Sequence, residues 1–489
     1  MTSPETGPAP GAGGGGALLV RGGYVITMDP GTGDVPDGDV LVSDGAIAAV
    51  GTGLTAPAGA RVIDASGMIV APGLVDTHWH MWNTLLRGMS ETGPGYFRLC
   101  RGLGPAFGPG DVFHGTLLAC AEAIDSGITT VHDWAHNVRG PGYADAGLRA
   151  LAQAGLRARF SCGYPAAHPN DRAMDLAGLR RLHAQWPGRT AGGLLSLGVA
   201  CRGPGGSDPA MHVPEAVYGC EFDAARELGL PVTIHACGPP HAAGQIDALT
   251  REGLLGPDVQ VVHANCATAT EIGHLADAGA TVSISPFSEL LVGYGMPQTA
   301  ELLAAGVPLG LSADTTALTG NADMFAIMKV TQGLANALAR DEFALTARRT
   351  LALATIDGAR CLGLDAVTGS LTPGKRADLI VVSPAGPNLG VLTDPAQLLV
   401  TAAQPANVDT VLVEGQVLKR AGTLTGLDTA RIRHDAQEAL GGVLARASGG
   451  FVRCYPVTGT PGPPGSRLYP SQVKRAVVTA SSSSVPVMS

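Results

Sequence analysis

The sequence is poor in charge. Only 15% of its 489 residues are Asp, Glu, Lys or Arg, whereas 45% are hydrophobic. That balance supplies ample material for a core and excludes a chain that is disordered throughout. Basic residues are the scarcer sign, 32 against 41 acidic, giving a formal net charge of −9. Nucleic acid and anionic lipid would meet net repulsion at long range, so neither is expected as a partner. No CxxC pair occurs among the nine cysteines, which are scattered from Cys100 to Cys454. An odd, dispersed set suits buried thiols in a reducing compartment better than a disulfide framework. The opening MTSPETGPAPGAGGGG has no basic stretch followed by an apolar run, and no uninterrupted apolar stretch approaches the roughly 18 residues of a membrane span. The expectation is a soluble cytoplasmic protein.

What is present is punctuation. The 69 glycines and 35 prolines separate short apolar segments, which implies a fold of many elements. Residues 1–16 carry nothing to bury and are expected to be a disordered tail. From Ala17, short strand patterns alternate with turns (ALLVRGGYVITMD, DVLVSDGAIAAVG, ARVIDASGMIVAPG), and the same pattern returns in ADLIVV and DTVLVEGQVL. These two distant groups, residues 17–71 and 365–430, are expected to form one small β-sandwich. Between them, over 72–364, eight apolar runs (LVDTH, TTVHDW, RARFSCG, LLSLGVA, PVTIHA, VQVVHA, TVSISP and VPLGLSAD) alternate with amphipathic stretches such as EAVYGCEFDAARELG. Strands that are apolar throughout are buried on both faces, so the fold class is α/β, a (β/α)8 TIM-type barrel. An open doubly wound sheet is the runner-up, but no GxGxxG follows the first strand. Residues 431–489 read as one helix followed by a loose tail.

Within VDTHWH, His78 and His80 are two apart on a strand, so both imidazoles project to one side at a spacing that one transition metal can bridge. Two strand-end histidines making ordinary hydrogen bonds would look the same. The balance shifts because His235 ends PVTIH, His263 ends VQVVH and Asp314 ends VPLGLSAD. Singly, each histidine reads as a satisfied core residue and Asp314 as a helix N-cap. In a barrel, however, these strand ends converge on the face where catalytic residues gather, and five coincident residues point to a shared metal site.

These residues carry a resemblance. APGLVDTHWHMWNTLLRG, His235, VHANCAT, ISPFSELLVGYG, LSADTTALTGNADMF and TGSLTPGKRADLIVV together resemble the amidohydrolase superfamily, nearest its cytosine deaminase and triazine hydrolase branch, over residues 17–420. The resemblance implies a (β/α)8 barrel with a β-sandwich built from both chain ends. It also implies one divalent transition metal, usually zinc with iron as the alternative, held by His78, His80, His235 and Asp314. His263 would sit beside it, polarising the substrate or the attacking water. Such ligands leave a position open for a water whose pKa falls toward neutrality, and Asp314 could take that water's proton and pass it to a leaving nitrogen. Binuclear relatives bridge two metals with a carboxylated lysine on the fourth strand. The only lysines here are 329, 375, 419 and 474, none in LLSLGVA, so a single metal is expected.

Deaminases of this branch usually carry HxxE at the fifth strand. Here the run is HACG, with Gly238 in place of the glutamate. Glu289 and His241 are candidate replacements, each equally readable as a structural residue. Trp82 and Arg87 lie in the loop after the first strand. Trp82 is a candidate to stack on a planar substrate and Arg87 to form an ion pair, while Trp79 should pack between barrel and helices. The leading function is a metal-dependent hydrolase cleaving a C–N bond of a small planar molecule by deamination or cyclic amidine or amide hydrolysis. A dehydrative cyclase closing an imidazoline-like ring from an amino-amide is one alternative, and a non-catalytic barrel scaffold another. The expected partner is a small-molecule substrate, and a homodimer is the candidate assembly.

Overall fold

A computed structural model describes residues 16–90, 95–186, 193–205 and 212–447. The expected N-terminal tail, Gly16 apart, and the tail beyond Ala447 lie outside these residues. The eight apolar runs form eight parallel strands in sequence order: β1 (Leu74–Trp79), β2 (Ile128–Ala135), β3 (Arg157–Gly163), β4 (Leu195–Ala200), β5 (Val232–Ala236), β6 (Val259–His263), β7 (Thr281–Ile284) and β8 (Leu309–Leu311). Every residue of β1, β2, β6 and β8 is buried, as strands covered on both faces require. A bridge between Trp79 and Asp314 joins β8 to β1 and closes the ring. Trp79 itself is wholly buried in the core outside the strands.

Helices cross over between successive strands, and local sequence sets their ends. In Ala269–Ala278, Thr268 accepts the amide of Glu271 while Glu271 returns to the amide of Thr268, a reciprocal N-terminal cap, and Gly279 ends the helix in the left-handed region at φ +66°. Asp175 and Asp323 cap Leu176–Gln185 and Met324–Ala339 through their carboxylates. A further helix, Thr429–Arg446, follows the second group of short strands. No helix among the described residues is long and apolar enough to cross a membrane.

The two groups of short strands, one from each side of the barrel sequence, join in a single nine-stranded sheet. The join is antiparallel pairing of Ile69–Pro72 with Leu379–Val382. Leu18, Val40, Val70, Leu379 and Leu412 gather in the sheet's own core, whereas the alternate residues Ile69, Ala71, Ile380 and Val382 join the core of the barrel. Period-two alternation therefore splits these strands between two cores. Arg157, at the start of β3, fastens the two together. Its Nε lies 2.6 Å from Asp378 and its Nη2 2.5 Å from Glu414, with the guanidinium buried.

Candidate metal centre

At the C-terminal end of the barrel, closure between β1 and β8 assembles the centre. The amide of Asp314 donates to the carbonyl of His78 at 2.9 Å, and the amide of His80 donates to the carbonyl of Asp314 at 2.6 Å. Asp76 reinforces the seam from within, its two carboxylate oxygens accepting the amides of His78 (3.1 Å) and Ala313 (3.0 Å). Burial pushes the Asp76 carboxyl up to about 8 in spite of those two bonds. Asp314 and His263 both adopt positive φ, +59° and +82°, and backbone strain at a histidine is tolerated only where the surroundings over-determine it.

The donor atoms converge. Nitrogens of His78, His80 and His235 lie within 4.8 Å of one another. Asp314 Oδ1 is 3.1 Å from His78 Nε2 and 3.4 Å from His80 Nε2. His80 Nδ1 is 3.1 Å from the carbonyl of Trp134, an acceptor, so Nδ1 carries the proton and Nε2 turns a lone pair toward the Asp314 carboxylate. Two lone pairs facing each other in a buried site repel unless a cation lies between them. Burial, together with the neighbouring imidazoles, holds His78, His80 and His235 well below the usual histidine pKa, so all three are neutral and offer lone pairs. The donor set therefore fits a transition metal.

His263 stands beside this group, its ring 5.4 Å from that of His235. Its Nδ1 is 3.1 Å from Glu289 Oε1. Burial opposes protonation of His263, but the Glu289 hydrogen bond and the charges of Asp314 and Glu289 outweigh it and raise the pKa. Glu289 is itself buried, and it accepts the Ser285 amide at 2.7 Å and the Asn265 side-chain amide at 3.3 Å. Its oxygens are thus taken up behind His263.

The other sequence candidates fall differently. Trp82, expected to offer a stacking face, is 2% exposed, packs edge-on against Phe107 and gives its indole N–H to His136 Nδ1 at 3.2 Å. His241 sits exposed on the short turn Pro240–Ala242, outside the group of converging nitrogens. Arg87 pairs with Glu122. Four residues that the sequence reading passes over line or brace the site: Asp76, Trp134, His136 and Tyr294. The Trp134 ring lies 4.4 Å from His235 and the His136 ring 4.4 Å from His80. His136 follows β2 directly, so the strand-end rule that found His235 applies to it as well. Tyr294 covers Gly238: a Cβ on Gly238 would come within 2.9 Å of the Tyr294 ring, which also meets His263 edge-on at 5.2 Å. The space beside His263 where a side chain at position 238 would stand is filled by a phenol.

Residues 69–418 match the amidohydrolase family. Among curated relatives, a 5'-deoxyadenosine deaminase of Methanosarcina mazei is 31% identical, covering 88% of this chain and 99% of its own. A 5-methylthioadenosine/S-adenosylhomocysteine deaminase of Pelotomaculum thermopropionicum is 30% identical over 86% and 97%. Among solved structures, a zinc-bound adenosine deaminase of Xanthomonas campestris superposes with a TM-score of 0.77 at 29% identity, covering 88% of this chain and 98% of its own. A zinc-bound atrazine chlorohydrolase of Arthrobacter aurescens, 24% identical with a TM-score of 0.76 over 86% and 100%, shares the fold.

Proposed function

The chain belongs to the amidohydrolase family, as a metal-dependent hydrolase of C–N bonds other than peptide bonds, and we propose that it deaminates a small planar heterocyclic amine of the adenine nucleoside class at one zinc ion held by His78, His80, His235 and Asp314. The observation that carries this reading is the opposed lone pairs of His80 Nε2 and Asp314 Oδ1 inside a ring of neutral imidazoles. Deamination of 5'-deoxyadenosine-type substrates by relatives about as similar as 31% over nearly the whole chain supports the substrate class.

When bound, the ion supplies Lewis acidity that draws the pKa of a water toward neutrality. Asp314 takes the proton of the attacking water and delivers it to the leaving nitrogen. Glu289 accepts from His263 Nδ1–H and favours the protonated imidazole, whose Nε2–H then donates to the substrate atom on which negative charge develops. Glu289 acts through His263 and is a positioning residue in this scheme. With Tyr294 over Gly238, no carboxylate on the β5 loop shares in proton movement, so Asp314 and His263 carry it alone. That same gap favours a second reading, dehydrative ring closure of an amino-amide, in which the acid and base steps run in the opposite direction.

The test is ammonia release from 5'-deoxyadenosine and 5-methylthioadenosine by zinc-loaded protein, with cyclic amidines and amino-amides assayed in parallel. Catalytic ammonia release from the nucleosides supports the reading. No turnover of them, alongside ring closure or ring opening of the amidine set, would replace it with the second.

A further inference from the structure

At the opposite, N-terminal end of the strands the barrel floor opens into a cleft of about 120 Å³, lined by Arg159, Asp258, Gln260, Thr281, Arg360 and Cys361 among others. Arg159 belongs to β3, two residues before Ser161, whose hydroxyl meets His132 Nε2 at 2.7 Å in the interior. Alternation along the strand sends the Arg159 side chain to that same interior side. Glycine on β4 makes room for it: a Cβ on Gly198 would lie 3.3 Å from Arg159 Cδ.

The charge at this spot is uncompensated. Arg159 Nη2 donates to the carbonyl of Leu362, which closes the helix Ile356–Cys361, but Nε is buried with no hydrogen-bond partner. The helix end contributes roughly half a negative charge, and no carboxylate among the described residues pairs with Arg159. Asp258 is held by Arg226 at 2.9 Å. Arg360 is held by Asp357 at 2.6 Å and lies 3.7 Å from Asp365. Burial pushes the Cys361 thiol up and so keeps it uncharged, and His132 carries no negative charge in either of its forms. A guanidinium does not lose its proton, so half-buried Arg159, with its Nε donor unmet, keeps a charge that no carboxylate of the described residues neutralises. At about 120 Å³ the cleft is several times the roughly 10–15 Å³ that one water requires, so it has room for a small oxyanion.

We propose that this cleft is a binding site for a small tetrahedral oxyanion of the phosphate class, held by Arg159 with Arg360 at its rim. The site is separate from the metal centre and does not depend on the reaction assigned there.

The test is thermal unfolding of the zinc-loaded full chain titrated with inorganic phosphate against chloride at matched ionic strength. A saturable rise of about 2 °C with phosphate alone is expected for a ligand that binds only the folded state. Arg159→Met should abolish it, while Arg159→Lys, which keeps the charge, should retain part of it. An equal rise in Arg159→Met would place the anion elsewhere, the metal centre included, and overturn the proposal, as would no rise in the wild type. Should the methionine variant fail to fold, crystals grown in selenate decide: an anomalous selenium peak within hydrogen-bonding distance of Arg159 supports the site, and its absence refutes it. Adenosine monophosphate forms the last arm. An Arg159-dependent rise with it assigns the site to the phosphoryl group of a larger molecule, and a rise with inorganic phosphate only assigns it to the free anion.

Discussion

His263 and Glu289 form a unit whose members do different work, and single substitutions separate them. His263→Ala should leave metal content unchanged and remove most of the rate, because in the proposed mechanism the imidazole polarises the reacting centre, and it lies outside the converging nitrogens of His78, His80 and His235. Glu289→Gln keeps an acceptor for Nδ1–H but loses the charge that favours protonated His263, so a loss of about 10-fold is expected, with the alkaline limb of the pH–rate profile displaced to lower pH. A positioned acid or base that itself transferred protons would cost 100-fold or more. Asp314→Asn should abolish turnover even where some metal remains, since an amide accepts no proton from water. His235→Ala should lose most of the single equivalent of metal found by elemental analysis. Full retention would remove His235 from the ligand set, and two tightly bound equivalents would refute a mononuclear site. His78, His80, His235, His263 and Asp314 were legible as a group because each ends an apolar run, and barrel geometry turns strand ends into neighbours. Glu289's partner was not legible, since which way a buried carboxylate faces depends on the loop from Ser285 to Gly295 folding back on β6.

Two strands meet at the seam that makes the centre, and Asp76 shows why strand-level structure matters more there than sequence pattern. In VDTHWH it reads as a polar residue before the histidines, yet its oxygens hold one amide on β1 and one just beyond the end of β8. Nothing in the sequence states that the first and eighth strands are adjacent; closure creates that relation. Asp76→Asn places an N–H₂ against one of the two amides and strands a buried donor, at a cost of about 1–3 kcal/mol. Lower thermal stability and weaker zinc retention in a chelator titration are expected together. Weaker stability with unchanged metal affinity would mean that the seam does not position Asp314. The loop holding Tyr294 makes a similar point. Gly238 was legible as a missing side chain, but only the folded loop shows what replaced it. Gly238→Glu should therefore destabilise the fold, because the ring within 2.9 Å of the new Cβ must move. Combining it with Tyr294→Ala should recover stability, and equal melting temperatures for the single and double variants would contradict the packing.

The small sheet is not an appendage to the barrel. The alternation in ARVIDASGMIVAPG and ADLIVV revealed strands with two kinds of face, and the distance between the groups suggested a shared domain. The expected small domain built from both chain ends is observed as one nine-stranded sheet, one face of which completes the barrel's own core. Sequence could not assign that face, because a residue buried between sheet strands and one buried against a neighbouring barrel are equally apolar. The consequence is testable by expressing residues 72–364 alone. Ile380, Val382, Val408 and Val411 would be lost from the barrel core, exposing a contiguous apolar surface of the kind that drives association. Arg157 would lose both Asp378 and Glu414, and removing the partners of a buried cation costs about 3–5 kcal/mol in measured cases. Both effects act in the same direction, so this chain should aggregate and fail to hold zinc. Supplying residues 365–430 in trans would not rescue it, because residues 380–382 pair with residues 69–71, which the shortened chain also lacks. Extending the chain to 17–430 restores both strands, Arg157's partners and the covered face, and should give a soluble, metal-loaded protein. If residues 72–364 were soluble, monomeric and metal-loaded by themselves, the shared core would be incidental and the barrel an independent folding unit.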